Sequence, residues 1–285
     1  MPELPEVETV RCGLSAVMER RRINKILVCR SDLRRPIPEN FVEVLTGRTV
    51  VSLHRRAKYL LIKFDDDTVL LIHLGMSGRM VIDQVTENQT ENNTTYPLKA
   101  FSKHEHVIFS VGNGTIIRFI DPRRFGLMVL TTESELKCHP LLSSIGPEPL
   151  EEEFSGPGLA GSLKGRTMPI KTALLDQRFV AGLGNIYVCE SLFKAGFSPP
   201  RKAYTIQKKR AVRLVKAIKE VLTQAVAVGG STIQDHITPS GEIGYFQNQL
   251  NVYGLEGAAC SVCKIPIKRI VQSGRSTFFC SGCQR

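Results

Sequence analysis

Residues 260–283 have the sequence CSVCKIPIKRIVQSGRSTFFCSGC, in which two Cys-x-x-Cys pairs flank 16 residues. The pairs are Cys260 with Cys263 and Cys280 with Cys283. Two such pairs can present four thiolates to one tetrahedral Zn²⁺. This spacing favours a zinc site over a redox dithiol, which needs only one pair, and over four unrelated free cysteines. Four cysteine ligands leave no coordination position open, so we expect one structural zinc ion that stabilises a segment too short to build its own core.

The residues between the two pairs predict a β-hairpin with several basic side chains. Arg275 lies in the turn SGRS (273–276), and a guanidinium at this place can bind a phosphate through two hydrogen bonds. The spacing alone leaves open whether Arg275 binds phosphate or is a solvated turn residue. A zinc ribbon can also bind protein as well as nucleic acid.

In the residues before the cysteines, the spacing of apolar residues predicts helices. Apolar residues recur every 3.6 positions between 211 and 225, and Gly229-Gly230 ends that helix. Two shorter helices are expected in PIKTALLD (169–176) and NIYVCESLFKAG (185–196). A stretch rich in Pro, Gly and Glu precedes them and predicts a linker. We therefore expect a linker at 146–165, a helical domain at 166–250 and a zinc finger at 251–285.

The N-terminal part, 2–145, has a β pattern after a helix expected at 6–21. Short runs rich in Val, Ile, Leu and Phe, separated by turn signals, predict a sandwich or barrel. Asn113-Gly114 is a hairpin signal, and the polar stretch 84–95 predicts a solvated loop. The expected strands are 58–64, 69–74, 107–111, 116–120 and 126–130.

The chain has 285 residues and a formal net charge of +11, which favours an anionic partner, nucleic acid before an acidic membrane surface. No apolar run reaches the roughly 20 residues that span a bilayer, and no signal peptide is evident. We therefore expect a cytoplasmic protein whose cysteines are thiols or metal ligands. The four cysteines outside the two pairs are expected to be packing residues, namely Cys12, Cys29, Cys138 and Cys189.

Several further motifs have both a functional and a structural interpretation. The glycines of AGLGNIY (181–187) could bind phosphate at a helix N-terminus or form a plain tight turn. Lys58 in HRRAKYL could belong to a positively charged surface that faces an anion, or it could lie at a solvated strand end. Phe125 in DPRRFG could wedge into a DNA groove or lie in the core, and His73 in HLGMSG is more often structural than catalytic. At the N-terminus, MPELPEVE, Pro5 and Glu6 suit a helix start, but Pro2 and Glu3 remain unexplained.

Taken together, these motifs resemble the formamidopyrimidine-DNA glycosylase family. They are MPELPEVE, HRRAKYL, HLGMSG, DPRRFG, GPEPL, AGLGNIY, ESLF and the cysteine pairs, in the family's order from residue 2 to residue 283. The resemblance implies an α+β fold with an N-terminal β-sandwich flanked by helices, a helix–two-turn–helix domain and a zinc ribbon. It also implies a monomeric DNA-repair enzyme that removes oxidised purines from double-stranded DNA and then nicks the strand, as a glycosylase and an abasic-site lyase.

The resemblance assigns roles to individual residues. It makes Pro2 the nucleophile once Met1 is removed, Glu3 the acid/base carboxylate with Glu6 close behind, Lys58 the lysine of β-elimination and Arg275 the arginine of the zinc hairpin. The implied DNA contacts are His73, Met76, His104, Arg123, Phe125, Asn185 and Tyr253. One basic contact of the family falls on Thr167, and we expect Arg166 to replace it. A mobile-looking segment, 229–247, is a candidate loop over the extruded base.

Two other functions are compatible with the motifs. One is an endonuclease VIII-like glycosylase for oxidised pyrimidines, although Leu4 favours the purine enzyme because that sister group typically has glycine there. The other is a zinc-ribbon protein that binds DNA without catalysis.

Overall fold

The computed structural model describes residues 1–83, 103–112, 114–231 and 246–285. Most of the segment 229–247, the whole of 84–95 and Asn113 therefore lie outside the described residues. The described chain forms two compact units. The first holds Met1–Pro2, Glu6–His139 and Ser231, and the second holds Glu3–Pro5, Pro140–Gly230 and the described residues from 246 to the C-terminus.

The first unit is built on two antiparallel four-stranded sheets. Their strand orders are β1-β6-β7-β5 and β2-β3-β4-β8. Apolar side chains of both sheets and of α1 and α2 belong to one buried cluster, so the sheets form a sandwich flanked by helices. The elements are α1 (Leu4–Met18), β1 (Ile23–Val28), α2 (Phe41–Leu45), β2 (Val50–Arg56), β3 (Tyr59–Phe64), β4 (Thr68–His73), β5 (Arg79–Asp83), β6 (Glu105–Val111), β7 (Thr115–Ile120) and β8 (Leu127–Thr132).

Three of these strands, β1, β2 and β5, were not predicted from the sequence. Each contains only one or two buried residues, and polar or charged residues limit the apolar runs within each strand to three residues or fewer, so no long apolar run marks them. The five predicted strands are present with ends shifted by one or two residues. Helix α1 begins at Leu4 rather than Glu6, which places Pro2 and Glu3 directly before its first turn.

The second unit is helical, with a small hairpin. Its elements are α3 (Gly156–Leu163), α4 (Ile170–Leu175), α5 (Asn185–Ala195), α6 (Lys209–Ala227), β9 (Lys268–Gln272) and β10 (Arg275–Phe279). The predicted stripe of α6 is buried, and α5 ends at Gly196, whose φ of 68° suits glycine. Helix α3 lies inside the stretch expected to be a linker, because Leu159 and Leu163 are buried against the helical core.

The cysteines outside the two pairs correct one expectation. Cys12, Cys29 and Cys138 are exposed, so they are not packing residues, whereas Cys189 is buried as expected. Among the helices of the described residues, none is both long and apolar enough to cross a membrane.

Candidate functional site

Glu3 lies at the N-terminus of helix α5. Its carboxylate accepts hydrogen bonds from the backbone N–H groups of Ile186 (3.0 Å) and Tyr187 (3.4 Å), and only 3% of the residue is exposed. These are donors that a helix leaves without an intrahelical partner, and the helix dipole stabilises the negative charge there. The glycine motif is therefore neither a plain turn nor a phosphate cradle in this structure, because the carboxylate of Glu3 occupies that place.

Gly184 is required for this arrangement. A Cβ atom built on Gly184 would lie 2.2 Å from Cδ of Glu3, which no side chain tolerates. Its φ of −136° is accessible to any residue, so the constraint is steric rather than conformational. The sequence motif AGLGN thus forms the binding site for the carboxylate of Glu3, which lies near the N-terminal end of the sequence.

Asn185, the first residue of α5, connects this helix to the zinc hairpin. Its amide nitrogen donates to the backbone carbonyl of Ser276 at 2.9 Å, and its side chain also hydrogen-bonds the hydroxyl of Tyr253. Burial is the main reason that the pKa of Tyr253 is raised, so the phenol is neutral and can donate. The second unit therefore brings together Glu3, Asn185, Tyr253 and the strand that begins with Arg275.

A buried lysine that the sequence argument missed supports the same strand. Lys171 on α4 has no exposed surface, and its ammonium donates to the carbonyl of Ser276 (3.0 Å) and the hydroxyl of Thr277 (2.7 Å). Burial lowers the pKa of Lys171, and the charge of Arg275 acts in the same direction. The only sequence signal was a lysine between Ile170 and Ala173, on a helix face that is otherwise apolar.

A second buried charge fixes the segment that carries Tyr253. Glu190 on α5 accepts hydrogen bonds from three consecutive backbone N–H groups, those of Asn251, Val252 and Tyr253, at 3.0, 3.0 and 2.9 Å. The ring of Tyr253 packs edge-on against Phe278, with centroids 5.0 Å apart. Glu190 was quoted only as part of the motif ESLF, and nothing local marks it as a ligand for backbone 61 to 63 residues away.

In the first unit, Pro2 is buried, and Lys58 is 6% exposed in the turn between β2 and β3. Arg55 donates to the carbonyl of Ala57 at 3.0 Å and to the carboxylate of Glu8 on α1 at 3.0 Å. Ala57 has a φ of 51°, a conformation that L-residues rarely adopt. The ion pair and the strained turn together define the position of the Lys58 backbone.

Glu6 is also buried and has a defined partner. Its carboxylate accepts the backbone N–H of Ser231 at 2.8 Å and the hydroxyl of Ser231 at 3.2 Å. Ser231 directly precedes the part of the predicted base-covering segment that is not described.

The two loops that carry Met76, Arg123 and Phe125 lie in the first unit. Met76 and Phe125 are 40% and 43% exposed, which excludes the core interpretation of Phe125. The guanidinium of Arg123 lies 5.0 Å from the ring centroid of Phe125. Two large apolar side chains and one cation are thus presented to solvent on neighbouring loops.

The two predicted histidines differ in their surroundings. The N–H of Gly75 donates to Nδ1 of His73 at 2.9 Å, so that nitrogen is unprotonated. Burial, and secondarily the charges of Lys58 and Arg34, lower the pKa of His73 to about 4. His104 is half-buried, and its carbonyl accepts the N–H of Asp121 at 3.0 Å.

Arg166 and Thr167 are both exposed on the second unit. The guanidinium of Arg166 lies 5.6 Å from the ring centroid of Phe179. An arginine is thus present one residue before the position where the family motif has a basic residue.

The four predicted zinc ligands converge. The sulfur atoms of Cys260, Cys263, Cys280 and Cys283 all lie within 4.8 Å of one another, with 3.3 Å between Cys263 and Cys280 and 3.8 Å between Cys260 and Cys283. A tetrahedral zinc with Zn–S bonds of about 2.3 Å separates its sulfurs by about 3.8 Å, so the cluster fits one zinc ion. The zinc is structural, because all four positions are cysteine ligands.

Comparison with known proteins agrees with this geometry. Residues 1–128 match the formamidopyrimidine-DNA glycosylase N-terminal domain, residues 145–237 its H2TH domain, and residues 257–285 the zinc finger found in FPG and IleRS. Formamidopyrimidine-DNA glycosylases of Acidiphilium cryptum and Jannaschia sp. are 49% and 50% identical over the full length of both chains.

Two solved structures are similar over almost the whole chain. The MutM (Fpg) protein of Thermus thermophilus is 37% identical with a TM-score of 0.85, covering 99% of this chain and 98% of that one. Wild-type Lactococcus lactis Fpg (MutM), in complex with DNA containing N7-benzyl-Fapy-dG, is 34% identical with a TM-score of 0.88 and full coverage of both chains. The fold and the site define a DNA glycosylase of the zinc-finger type. The chain belongs to the formamidopyrimidine-DNA glycosylase family.

Proposed function

We propose that this chain is a bifunctional DNA glycosylase and abasic-site lyase of base-excision repair, acting on oxidised purines such as 8-oxoguanine and formamidopyrimidines. The observation that carries the proposal is the arrangement of the first residues of the chain. Pro2 is buried, and the neighbouring Glu3 carboxylate is fixed by the first turn of α5. A carboxylate next to a potential amine nucleophile is suited to proton transfer during attack on a sugar carbon.

Pro2 becomes a nucleophile only when Met1 is removed, because the nitrogen of an internal proline is an amide. The freed secondary amine titrates near ~8, so part of it is neutral at pH 7. It attacks C1′ of the damaged nucleotide, the bond to the base breaks, and the base leaves with the bonding electrons and takes up a proton. Because the amine is secondary, opening of the sugar ring gives a cationic iminium.

The iminium then allows both strand cuts. It acidifies C2′, and loss of a C2′ proton expels the 3′ phosphate; a second elimination expels the 5′ phosphate. We assign proton transfer at the sugar to Glu3, stabilisation of the departing phosphates to Lys58 and Arg275, and their protonation to Lys58, because a guanidinium keeps its protons. Each group leaves as an anion, which suits cationic side chains.

We assign the remaining site residues to contacts with the DNA duplex. Met76, Arg123 and Phe125 fill the gap left by the extruded base, since an extruded nucleotide leaves an unstacked space. Binding of backbone phosphates is assigned to His73, Asn185 and Tyr253, and further DNA contacts are assigned to His104 and Arg166. The proposal includes a cytoplasmic monomer and the domain bounds 2–145, 146–165, 166–250 and 251–285.

Borohydride trapping tests the proposal directly. Reduction during incubation with a duplex containing 8-oxoguanine is expected to link protein and DNA covalently, and Pro2→Gly is expected to abolish or greatly reduce the product. Absence of a trapped complex for the wild-type chain would favour a DNA-binding protein without catalysis. Thymine glycol released faster than 8-oxoguanine would favour the pyrimidine enzyme.

A further inference from the structure

Asp121 is a buried carboxylate that contacts two loops at once. It follows strand β7 and has no exposed surface. Its Oδ1 accepts the hydroxyl of Ser77 at 2.6 Å and the N–H of Arg123 at 3.2 Å, and its Oδ2 accepts the N–H of Gly126 at 2.8 Å. Ser77 belongs to the loop between β4 and β5, whereas Arg123 and Gly126 belong to the loop between β7 and β8.

Further contacts join the same two loops. The hydroxyl of Ser77 also accepts the N–H of Arg123 at 3.1 Å. Gly75 has a φ of 69°, and a Cβ atom built on it would lie 2.4 Å from the backbone carbon of Phe125. The two backbones are therefore in direct contact, and only glycine permits both the conformation and the approach.

The main chain of Asp121 is also anchored from the sheet. Its carbonyl accepts Nε2–H of His106, a 1% exposed residue on β6, at 2.7 Å. Asp121 is thus fixed at its backbone while its side chain holds both loops.

This arrangement is a costly way to stabilise a fold. The three donors that the described residues supply to the carboxylate are neutral, and neutral donors replace the hydration of a buried charge only in part. A neutral side chain would close either loop at lower cost. The advantage of the carboxylate is that one rigid group accepts three hydrogen bonds from two different loops.

The loops joined by Asp121 are those that present Met76, Arg123 and Phe125 to solvent. We propose that Asp121 is a positioning residue that assembles these three side chains into one wedge before DNA is bound. The inference rests on the proposed function, in which the wedge replaces an extruded base. A preassembled wedge enters the duplex without the entropy loss of ordering two separate loops at that moment.

Asp121→Asn tests the inference, because the amide has the same shape but turns an NH₂ group towards one of the donors. The measurement is single-turnover release of 8-oxoguanine from duplex DNA, compared with cleavage of a preformed abasic site in single-stranded DNA. The second substrate has no base to extrude and no stacked gap to fill. We expect duplex activity to fall by about tenfold or more while single-strand cleavage stays within about twofold of wild type.

The comparison separates positioning from general damage. An equal loss on both substrates, or no loss on either, would overturn the inference. Met76→Ala should show the same selective loss, and 2-aminopurine opposite the lesion should report reduced opening of the duplex in both variants. Asp83→Asn is the matched control, because Asp83 lies in the same unit and pairs with Arg118 at 2.9 Å near solvent.

A second variant keeps the test decisive if Asp121→Asn does not fold. Ser77→Ala removes the hydroxyl that joins the first loop to Asp121 and to the N–H of Arg123, and it leaves the bonds from Asp121 to Arg123 and Gly126 intact. A selective loss on duplex DNA supports the inference, and unchanged duplex activity contradicts it. If the wild-type chain cleaves neither substrate, the proposed function fails, which is a different outcome from a failure of the wedge.

Discussion

The carboxylate of Glu190 on α5 accepts the backbone N–H of Tyr253 at 2.9 Å, and it also accepts the two preceding backbone N–H groups. We expect Glu190→Gln to destabilise the chain by about 2–4 kcal/mol, since charge-assisted bonds are lost and an amide cannot accept at both ends. Denaturant unfolding measures this change. Glu220→Gln, which removes exposed ion pairs to Lys194 and Lys216, should cost less than about 1 kcal/mol. Equal losses in the two variants would contradict this interpretation of Glu190.

A methyl group at Gly184 is expected to displace Glu3, because the added Cβ would lie 2.2 Å from Cδ of the carboxylate. On the proposed mechanism Gly184→Ala should lower base release by about a hundredfold, the usual consequence of an ångström-scale displacement at a reacting centre. Gly161→Ala is the control, since nothing lies within 4 Å of that Cβ and the position is helical. It should leave activity unchanged and add up to about 1 kcal/mol of stability. Full activity of Gly184→Ala would remove Glu3 from the mechanism.

Loss of the buried ammonium of Lys171 should loosen the strand that begins at Arg275. Lys171→Met removes hydrogen bonds to Ser276 and Thr277 while keeping the apolar stem. We expect about 1–3 kcal/mol of lost stability. We also expect accumulation of the iminium relative to nicked product, because departure of phosphate depends on Arg275. Trapping yield and strand nicking measured on the same substrate test this, and parallel changes in both would contradict it.

The stability of the first unit should depend on pH through His73. Its folded pKa of about 4 lies below the ordinary value of 6.5, so the unfolded chain binds a proton that the folded chain does not. The contribution of His73 is fully present above pH 6.5 and is lost as the pH falls to about 4. The loss is at most about 3 kcal/mol. Denaturant unfolding of wild type and His73→Gln at pH 7 and pH 5 tests this, and an unchanged pH slope in the variant would contradict it.

Removal of zinc should unfold the hairpin that carries Arg275. Zinc binding to four thiolates contributes on the order of 10 kcal/mol to small zinc domains, so the hairpin has no comparable alternative. Chelation or Cys280→Ser should abolish nicking, and zinc content should fall in step with activity. Activity that survives complete loss of zinc would show that the hairpin folds through its own contacts.

The parts of the molecule that could be predicted from sequence are those set by local spacing. The zinc ligands need only two pairs and an intervening hairpin, and the stripe of α6 needs only its own periodicity. Buried charges could not be predicted. Lys171 has a partner 105 residues away in sequence and Asp121 has one 44 residues away, so only tertiary structure shows these pairs. The strands β1, β2 and β5 were missed for a related reason, since cross-strand pairing rather than apolar content defines them.

The role proposed for Pro2 has a practical consequence for anyone preparing the protein. On the proposed mechanism, a fusion partner or affinity tag joined ahead of Pro2 keeps its nitrogen an amide, which cannot attack the sugar. The other terminus offers an alternative, because Arg285 is exposed although its carbonyl accepts the N–H of Ser198 at 3.2 Å. Tags that stay on the purified enzyme therefore belong after Arg285.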